Sequence, residues 1–420
     1  MDPAQDVASA SSPFAAFQSR DFCFLAAART LSTIALQMQA VAVGFQIYAL
    51  THQPIALGYV GLAQFLPVVT LSLATGHAAD RFDRRAILLA CNALAAACSV
   101  AFWLLARSAH PSLFAIYGTL VILGVSRAFS GPASSALLPS LVPSSHFANA
   151  ASWQSTLWQI GSIGGPSLGG LLYGLHGSAE PVYLAAAIGL AAATVLLAGV
   201  RTRSGRMERR PPSIATVLAG LRYVWITKIL LGSISLDLFA VFLGGAVALL
   251  PIYATDVLHV GAQGLGLLRS APAVGAAVMA IFLAFRPLRR HVGRTMMLYV
   301  ALFGAATVVF GLSTNFALSL AALTVLGAAD MVSMVVRMTV EQAAAPPSMR
   351  GRVSAVKFVF VGASNELGDL ESGVAAALLG TVPAVVVGGL GTILVVAIWS
   401  VLFPGLRDVD RFEDVKSTEE

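Results

Sequence analysis

From Leu378 to Leu402 the chain carries no charged residue, and its apolar character is unbroken. A run of that length has few folded fates. About 20 predominantly apolar residues in helical form cross the hydrocarbon layer of a bilayer. Similar runs recur along the 420 residues. They predict twelve spans, at 22–49, 55–76, 86–107, 112–138, 149–174, 181–200, 230–254, 263–285, 295–313, 316–341, 353–379 and 382–404. Composition agrees: 57% of the residues are hydrophobic and 11% charged, with a mean hydropathy of +0.81. A soluble domain carries about 25% charged residues, and half of that cannot cover a water-facing surface. Membrane barrels are built from ~10-residue segments that alternate apolar and polar, which these runs do not. Helices satisfy their own backbone hydrogen bonds in lipid, so the expected fold is an all-α integral membrane protein.

Positive charge orders the spans. Cytosolic loops collect Lys and Arg. With the N-terminus inside, the cytosolic side receives Arg20, the Arg81/Arg84/Arg85 group, five arginines between 201 and 210, four between 286 and 294, Arg350 and Arg352, and three basic residues of the C-terminal tail. The outer side receives Arg107 and Arg269, both at helix ends. The net charge of +6 therefore reflects topology, and no nucleic-acid partner is expected. The break around 201–216, with Pro211-Pro212, divides the spans six and six. The expected organisation is a cytosolic N-terminal tail over 1–21 with no signal peptide, a first six-helix bundle over 22–200, a basic cytosolic linker over 201–229 with a surface helix at Ile214–Lys228, a second bundle over 230–404 and a cytosolic tail over 405–420. A weak internal repeat supports the division. Pro143, Gly165-Pro166 and Gly169-Gly170 fall 203 positions before Pro346, Gly368-Asp369 and Ser372-Gly373.

Ionisable residues inside spans are costly, and they mark function by default. Glu366, Asp369 and Glu371 share the eleventh span. Facing lipid while ionised, the three would cost on the order of 8 kcal/mol. Asp237 and Asp330 add acids in the seventh and tenth spans, so the clear intramembrane acids lie in the second half. The first half offers Arg29 and Arg127 instead. Asp369, Glu366, Asp330 and Asp237 are therefore the candidates for binding a driving proton. Arg29 and Arg127 are candidates for holding anionic substrate groups or for relaying charge. A structural ion pair between Asp237 and Arg337, at similar depth, competes with the proton role of Asp237, and Arg29 has snorkelling as its alternative. Gln37 and Gln39 of the first span, with Trp153 and Trp158 of the fifth, suit either a cavity for an amphipathic solute or ordinary helix packing. Cys23, Cys91 and Cys98 have no metal-type spacing, and neither a phosphate loop nor a catalytic pair is present. No metal, organic cofactor or enzymatic activity is expected.

Two motifs carry a family resemblance. The loop after the second span reads Gly76-His-Ala-Ala-Asp80-Arg81-Phe-Asp-Arg84-Arg85. It resembles the loop signature of the major facilitator superfamily, which implies a latch on the cytosolic side. The fifth span reads Gly161-x-x-x-Gly165-Pro166-x-x-Gly169-Gly170. It resembles the antiporter hinge motif of that superfamily, with Ser152 where a further glycine is usual. Arg127 and Gly131 resemble a motif of proton-driven members. Ala28-Arg29, Leu138 to Pro143, Leu236 to Val241 and Asn365 to Asp369 are similar to the branch of enterobactin exporters and transmembrane secretion effectors. The resemblance implies two pseudo-symmetric six-helix bundles, a bacterial inner membrane and a monomer with both termini in the cytosol. It further implies alternating access driven by the proton gradient. The expected function is proton-coupled export of a siderophore or drug-like compound. Uptake or lipid flipping on the same fold, and a non-transporting receptor or scaffold, stay open.

Overall fold

The structure, a computed structural model, describes residues 13–71, 74–75, 78, 82–201, 214–288, 290–346 and 349–415, with backbone alone at 214–218 and at several positions of 350–366. Its elements are α1 (Arg20–Thr51), α2 (Pro54–Thr70), α3 (Arg84–Ala106), α4 (Leu113–Leu137), α5 (Phe147–His176), α6 (Glu180–Ala198), α7 (Ile214–Ile226), α8 (Lys228–Leu243), α9 (Gly261–Phe285), α10 (Val292–Leu312), α11 (Phe316–Ala344), α12 (Arg350–Leu379) and α13 (Thr381–Leu402). Ten of the twelve expected spans each fall on one of these helices, that at 55–76 runs past the end of α2 into partly undescribed residues, and that at 230–254 is interrupted after α8; α7 lies in the expected surface-helix segment. Short polar side chains start several of them. Asp83 accepts the Arg85 N–H at 3.0 Å ahead of α3, and Asn315 accepts the Leu318 N–H at 3.1 Å ahead of α11, each satisfying an orphan donor of the first turn.

One span departs from a plain helix. After α8 the chain passes through a 3-10 turn (Ala246–Leu249), three α residues (Leu250–Ile252) and a π turn (Tyr253–Val257). Gly244 and Gly245 are poor helix formers, and Pro251 cannot donate a backbone hydrogen bond. Those three residues weaken the helix where the break falls. The 203-residue repeat coincides with the helix ranges, since α5 and α12 both run 30 residues and their starts and ends differ by 203 (350 − 147 and 379 − 176).

Nine of the described helical segments are long and apolar enough to cross a membrane. Their outward faces stay greasy: Val195, Val401 and Phe285 are 73%, 75% and 83% exposed. Continuous apolar exposure of this kind is stable only against lipid. α2 is shorter, at 17 residues. α5 carries Asn149, Gln154 and Gln159, and α12 carries six charged residues from Arg350 to Glu371, which sets both apart from the apolar spans.

The helices form two compact units. The first comprises Met1–Val43 and Leu66–Pro211, the second Gly44–Phe65 and Pro212–Glu420. In the first, α3 packs on α4 and α6 around Phe22, Leu25, Leu137 and Leu197 at one level and Ala95, Cys98 and Leu190 at another. The segment before α1 is docked on α5, where Trp153 Nε1 donates to the Pro13 carbonyl at 2.8 Å and Asn149 Oδ1 accepts from Ala16 N–H at 3.0 Å. In the second, α11 packs between α9 and α10, and α8 packs on α12 and α13. The far end of α1 and the start of α2 pack here too. A Cβ on Gly58 would lie 3.1 Å from Leu370 Cα, and one on Gly373 would lie 3.0 Å from Gly58 Cα. The C-terminal segment is also docked, with Leu406, Val409 and Val415 buried beside Val292 and Met296.

Candidate functional site

α11 places three ionisable side chains on one face. At 100° per residue, Asp330, Arg337 and Glu341 fall within about 40° of one another around the helix. Neighbouring helices answer them. Asp237 of α8 pairs with Arg337 Nη1, and Asp330 Oδ1 lies 3.7 Å from Arg337 Nη2. Lys357 of α12 donates to Glu341 Oε2 at 2.8 Å. The Asp237 and Arg337 side chains are 7% and 8% exposed, whereas that of Asp330 is 47% exposed. Two carboxylates thus compete for one guanidinium, one sealed in and one accessible. A small cavity beside them is lined also by Phe303 and Ser333, and the buried Ser333 hydroxyl has no partner among the described residues.

Of the proton candidates, Asp237 and Asp330 therefore meet at one cation. Asp369 is half-buried on α12 and does not line that cavity. Glu366 lies on α12, with its side chain outside the described residues. Sequence reasoning missed Glu341 and Lys357. A lysine inside the eleventh span was a signal available for finding them, since an intramembrane cation needs a nearby carboxylate.

The first unit holds a second polar cluster. Arg29 Nη1 donates to Ser134 Oγ of α4 and, at 3.4 Å, to Gln154 Oε1 of α5. Arg127 is exposed, two turns before Ser134 on the same face of α4, so the two arginines sit at levels roughly 10 Å apart along that helix. Gln39 is buried and accepts from the Ser99 hydroxyl, which makes it a packing residue of α1 and α3. Gln37 is half-buried, with its Cβ against Gly165. Trp153 is taken up by the N-terminal segment, leaving Trp158 beside Arg29.

The glycine stripe of α5 is a close-contact surface for α1. A Cβ on Gly161 would lie 2.7 Å from Thr33, one on Gly165 2.6 Å from Gln37 Cβ, and one on Gly169 2.8 Å from the Met38 backbone. Pro166, inside α5, and Gly170 are both buried. In the loop motif, Gly76, Asp80 and Arg81 lie outside the described residues. The basic pair that follows serves the helix ends. Arg84 donates to the Ala136 carbonyl at 3.0 Å, near the end of α4, and Arg85 to the Ala198 carbonyl at 2.6 Å, at the end of α6. Cations there satisfy orphan carbonyls and face the negative end of each helix dipole.

Known proteins agree with this architecture. A family profile described as transmembrane secretion effector matches residues 11–419. The chain is 29% identical over 400 residues to the enterobactin exporter EntS of Citrobacter koseri, covering 90% of this chain and 91% of that one. It is 28% identical over 365 residues to the enterobactin exporter of Escherichia coli O1:K1, covering 84% and 83%. Among solved structures, a bacterial homologue of the lysosomal transporter Spinster aligns with a TM-score of 0.71 at 15% identity, covering 93% and 96%. A bacterial homologue of the iron transporter ferroportin aligns at 0.70 and 15%, covering 93% and 99%; at these identities the likeness is one of fold. The chain belongs to the transmembrane secretion effector family of the major facilitator superfamily, and is a multi-pass membrane transporter rather than an enzyme.

Proposed function

We propose that this protein is a proton-coupled exporter of a small organic molecule, a siderophore or a drug-like compound, in a bacterial inner membrane. Its termini lie in the cytosol, and it works as a monomer by alternating access, with the proton gradient as its only driving force. The observation that carries the reading is the Asp237–Arg337–Asp330 cluster. With both acids ionised it holds a charge of −1, and one bound proton makes it neutral. A cluster that switches between charged and neutral in a low-dielectric setting changes its cost of burial with each proton, which is what coupling requires. Asp330, the accessible acid, is the group that receives the proton, and Asp237 holds the arginine. Glu341–Lys357 is a self-neutralised pair one turn further along α11. Asp369 and Glu366 are the next proton candidates. Export of a siderophore is supported by the names of the two relatives, and the glycine–proline hinge of α5 supports antiport. Arg29 and Arg127 are the cations for anionic substrate groups.

Everted membrane vesicles test this. With a ΔpH-sensitive dye, wild-type protein should release protons from the vesicle lumen on substrate addition, and D330N should abolish that release while inserting normally. Retention of wild-type ΔpH-driven transport by D330N, D237N and D369N alike would overturn the assignment of the coupling site to these acids.

A further inference from the structure

Beside the ion-pair cluster, α11 carries a buried hydroxyl that no described residue answers. Ser333 follows Asp330 by three residues and precedes Arg337 by four. At 100° per residue the three lie within about 60° of one another around the helix. Ser333 is 2% exposed, and its Oγ has no partner among the described residues. A serine in a membrane helix ordinarily bonds to the carbonyl four residues back, and Thr339 of the same helix does so with Val335 at 2.9 Å. Ser333 lines instead the cavity shared by Asp237, Asp330 and Arg337. The rest of that wall is apolar, with Ala240 from α8 and Val300 and Phe303 from α10. The cavity offers about 10 Å³ to the centre of a water molecule, which is room for one. A buried water needs two to four polar partners, and the hydroxyl with the two carboxylates supplies them.

The two ion pairs of Arg337 differ in kind. Asp237 stands on α8, so its pair ties two helices together. Asp330 stands on α11 itself, so its pair at 3.7 Å ties that helix only to itself. Asp330 is open to protons from outside, whereas Asp237 is sealed and needs a neighbour to deliver one. We propose that Ser333 holds one water between the two acids, and that a proton taken up at Asp330 passes through this water to Asp237. The Asp330 O–H bond breaks as the water takes its proton, and a water O–H bond breaks as Asp237 gains one. The water is regenerated, and the charge of the cluster is the same before and after. Neutral Asp237 then releases Arg337, which pairs with the newly ionised Asp330. An ion pair between α8 and α11 becomes one within α11, and the two helices are free to shift. Of the other charged groups near this face of α11, Glu341 and Lys357 answer each other at 2.8 Å, and the α10 residues of the cavity carry no charge. This rests on the reading of the cluster as the coupling site. It adds a second acid, an order of transfer and Ser333 as the residue that positions the water.

Rapid-scan infrared spectroscopy of the full-length protein in detergent micelles, after a jump to acid pH, reads carboxyl protonation with no substrate and no gradient. D330N and D237N assign the carboxyl C=O component of each aspartate. In the wild type the two components should rise together, and D330N should lose both. In S333A the Asp330 component should rise at the wild-type rate and the Asp237 component about tenfold more slowly, the size of one lost hydrogen bond. S333T should restore the wild-type timing. A water O–H band that shifts in heavy-oxygen water should be present in the wild type and in S333T and missing from S333A. A change in thermal stability of S333A with timing and water band intact overturns the relay, as does an Asp237 component that rises normally in D330N. The D330N comparison reports even where S333A folds poorly. Wild-type timing in S333A, with proton-driven export lost in D330N, would sink the relay and leave the exporter reading standing. The slowed Asp237 component in S333A, with no proton-driven export in the wild type, would do the reverse.

Discussion

Arg337 answers two carboxylates from inside a membrane helix, and removing it exposes how such a group is held. Breaking a buried ion pair by deleting one partner costs about 3–5 kcal/mol, because the survivor stays buried and unpaired, whereas replacing both partners with apolar residues of similar volume is often close to neutral. R337M should therefore lower the thermal unfolding temperature in detergent markedly, and D237L/R337M should recover most of the loss. A single variant as stable as the double one would show that Asp237 finds other compensation. The same residue explains how far the site could be read in advance. Asp237, Asp330 and Arg337 each stand out in the sequence as a charge in an apolar run. Their meeting at one guanidinium depends on how α8 and α11 rotate about their axes, which hydropathy does not encode. Gln154 was invisible for a related reason: an uncharged amide in a polar helix becomes notable only when its NH₂ is found buried without a partner among the described residues.

Among the elements, α5 shows a motif translating into a distance. Gly161, Gly165 and Gly169 recur every four residues, and the helix they build lies so close to α1 that a Cβ at any of them would fall within 2.6–2.8 Å of an atom there. Gly164, one residue earlier than the middle position, would meet nothing within 4 Å. The two neighbours therefore make a matched test. G165V should destabilise the protein by about 1–3 kcal/mol through overpacking, or prevent its accumulation in the membrane. G164A should be neutral or gain up to about 1 kcal/mol from helix propensity. Equal effects in a detergent thermostability assay would mean that the stripe does not set the α1–α5 approach. The periodicity was legible because small residues one turn apart have one dominant use in membrane helices. The broken stretch after α8 was not, because Gly244, Gly245 and Pro251 are individually tolerated in spans, and the π turn arises only once neighbours fix the backbone.

At the scale of the whole molecule, the described segments before α1 and after α13 are each packed onto their own unit. Asp410 Oδ1 accepts the His291 backbone N–H at 3.0 Å and lies 2.9 Å from His291 Nδ1, so the tail caps the start of α10. The backbone N–H from His291 holds the Asp410 carboxyl below its ordinary value of 3.8, and the hydrogen bond from Arg407 does the same for Asp408. A carboxyl lowered in the folded state stabilises above its unfolded value, and that contribution is lost as pH falls through the folded one. Hydrogen-exchange protection of Val292–Met296, referenced to free peptide at each pH, should hold at pH values above 3.8 and decline only below. D410N should show the loosened state throughout. Protection that declines already near neutral pH would place the control elsewhere.

Taken by itself, the sequence determined that the chain is an all-α membrane protein, roughly where most of its helices begin and end, that its glycine and proline positions repeat with a 203-residue offset, and which family it belongs to. Those are properties of composition and spacing, read one segment at a time, because the cost of an apolar or charged residue in lipid is set mainly by that residue. Tertiary structure alone decided which charges share a partner, that Gln39 and Trp153 serve packing while Gln154 and Trp158 face a pocket, and that residues 44–65 pack with the second unit. Each of those depends on helix rotation and depth, which are fixed by contacts between segments far apart in the chain.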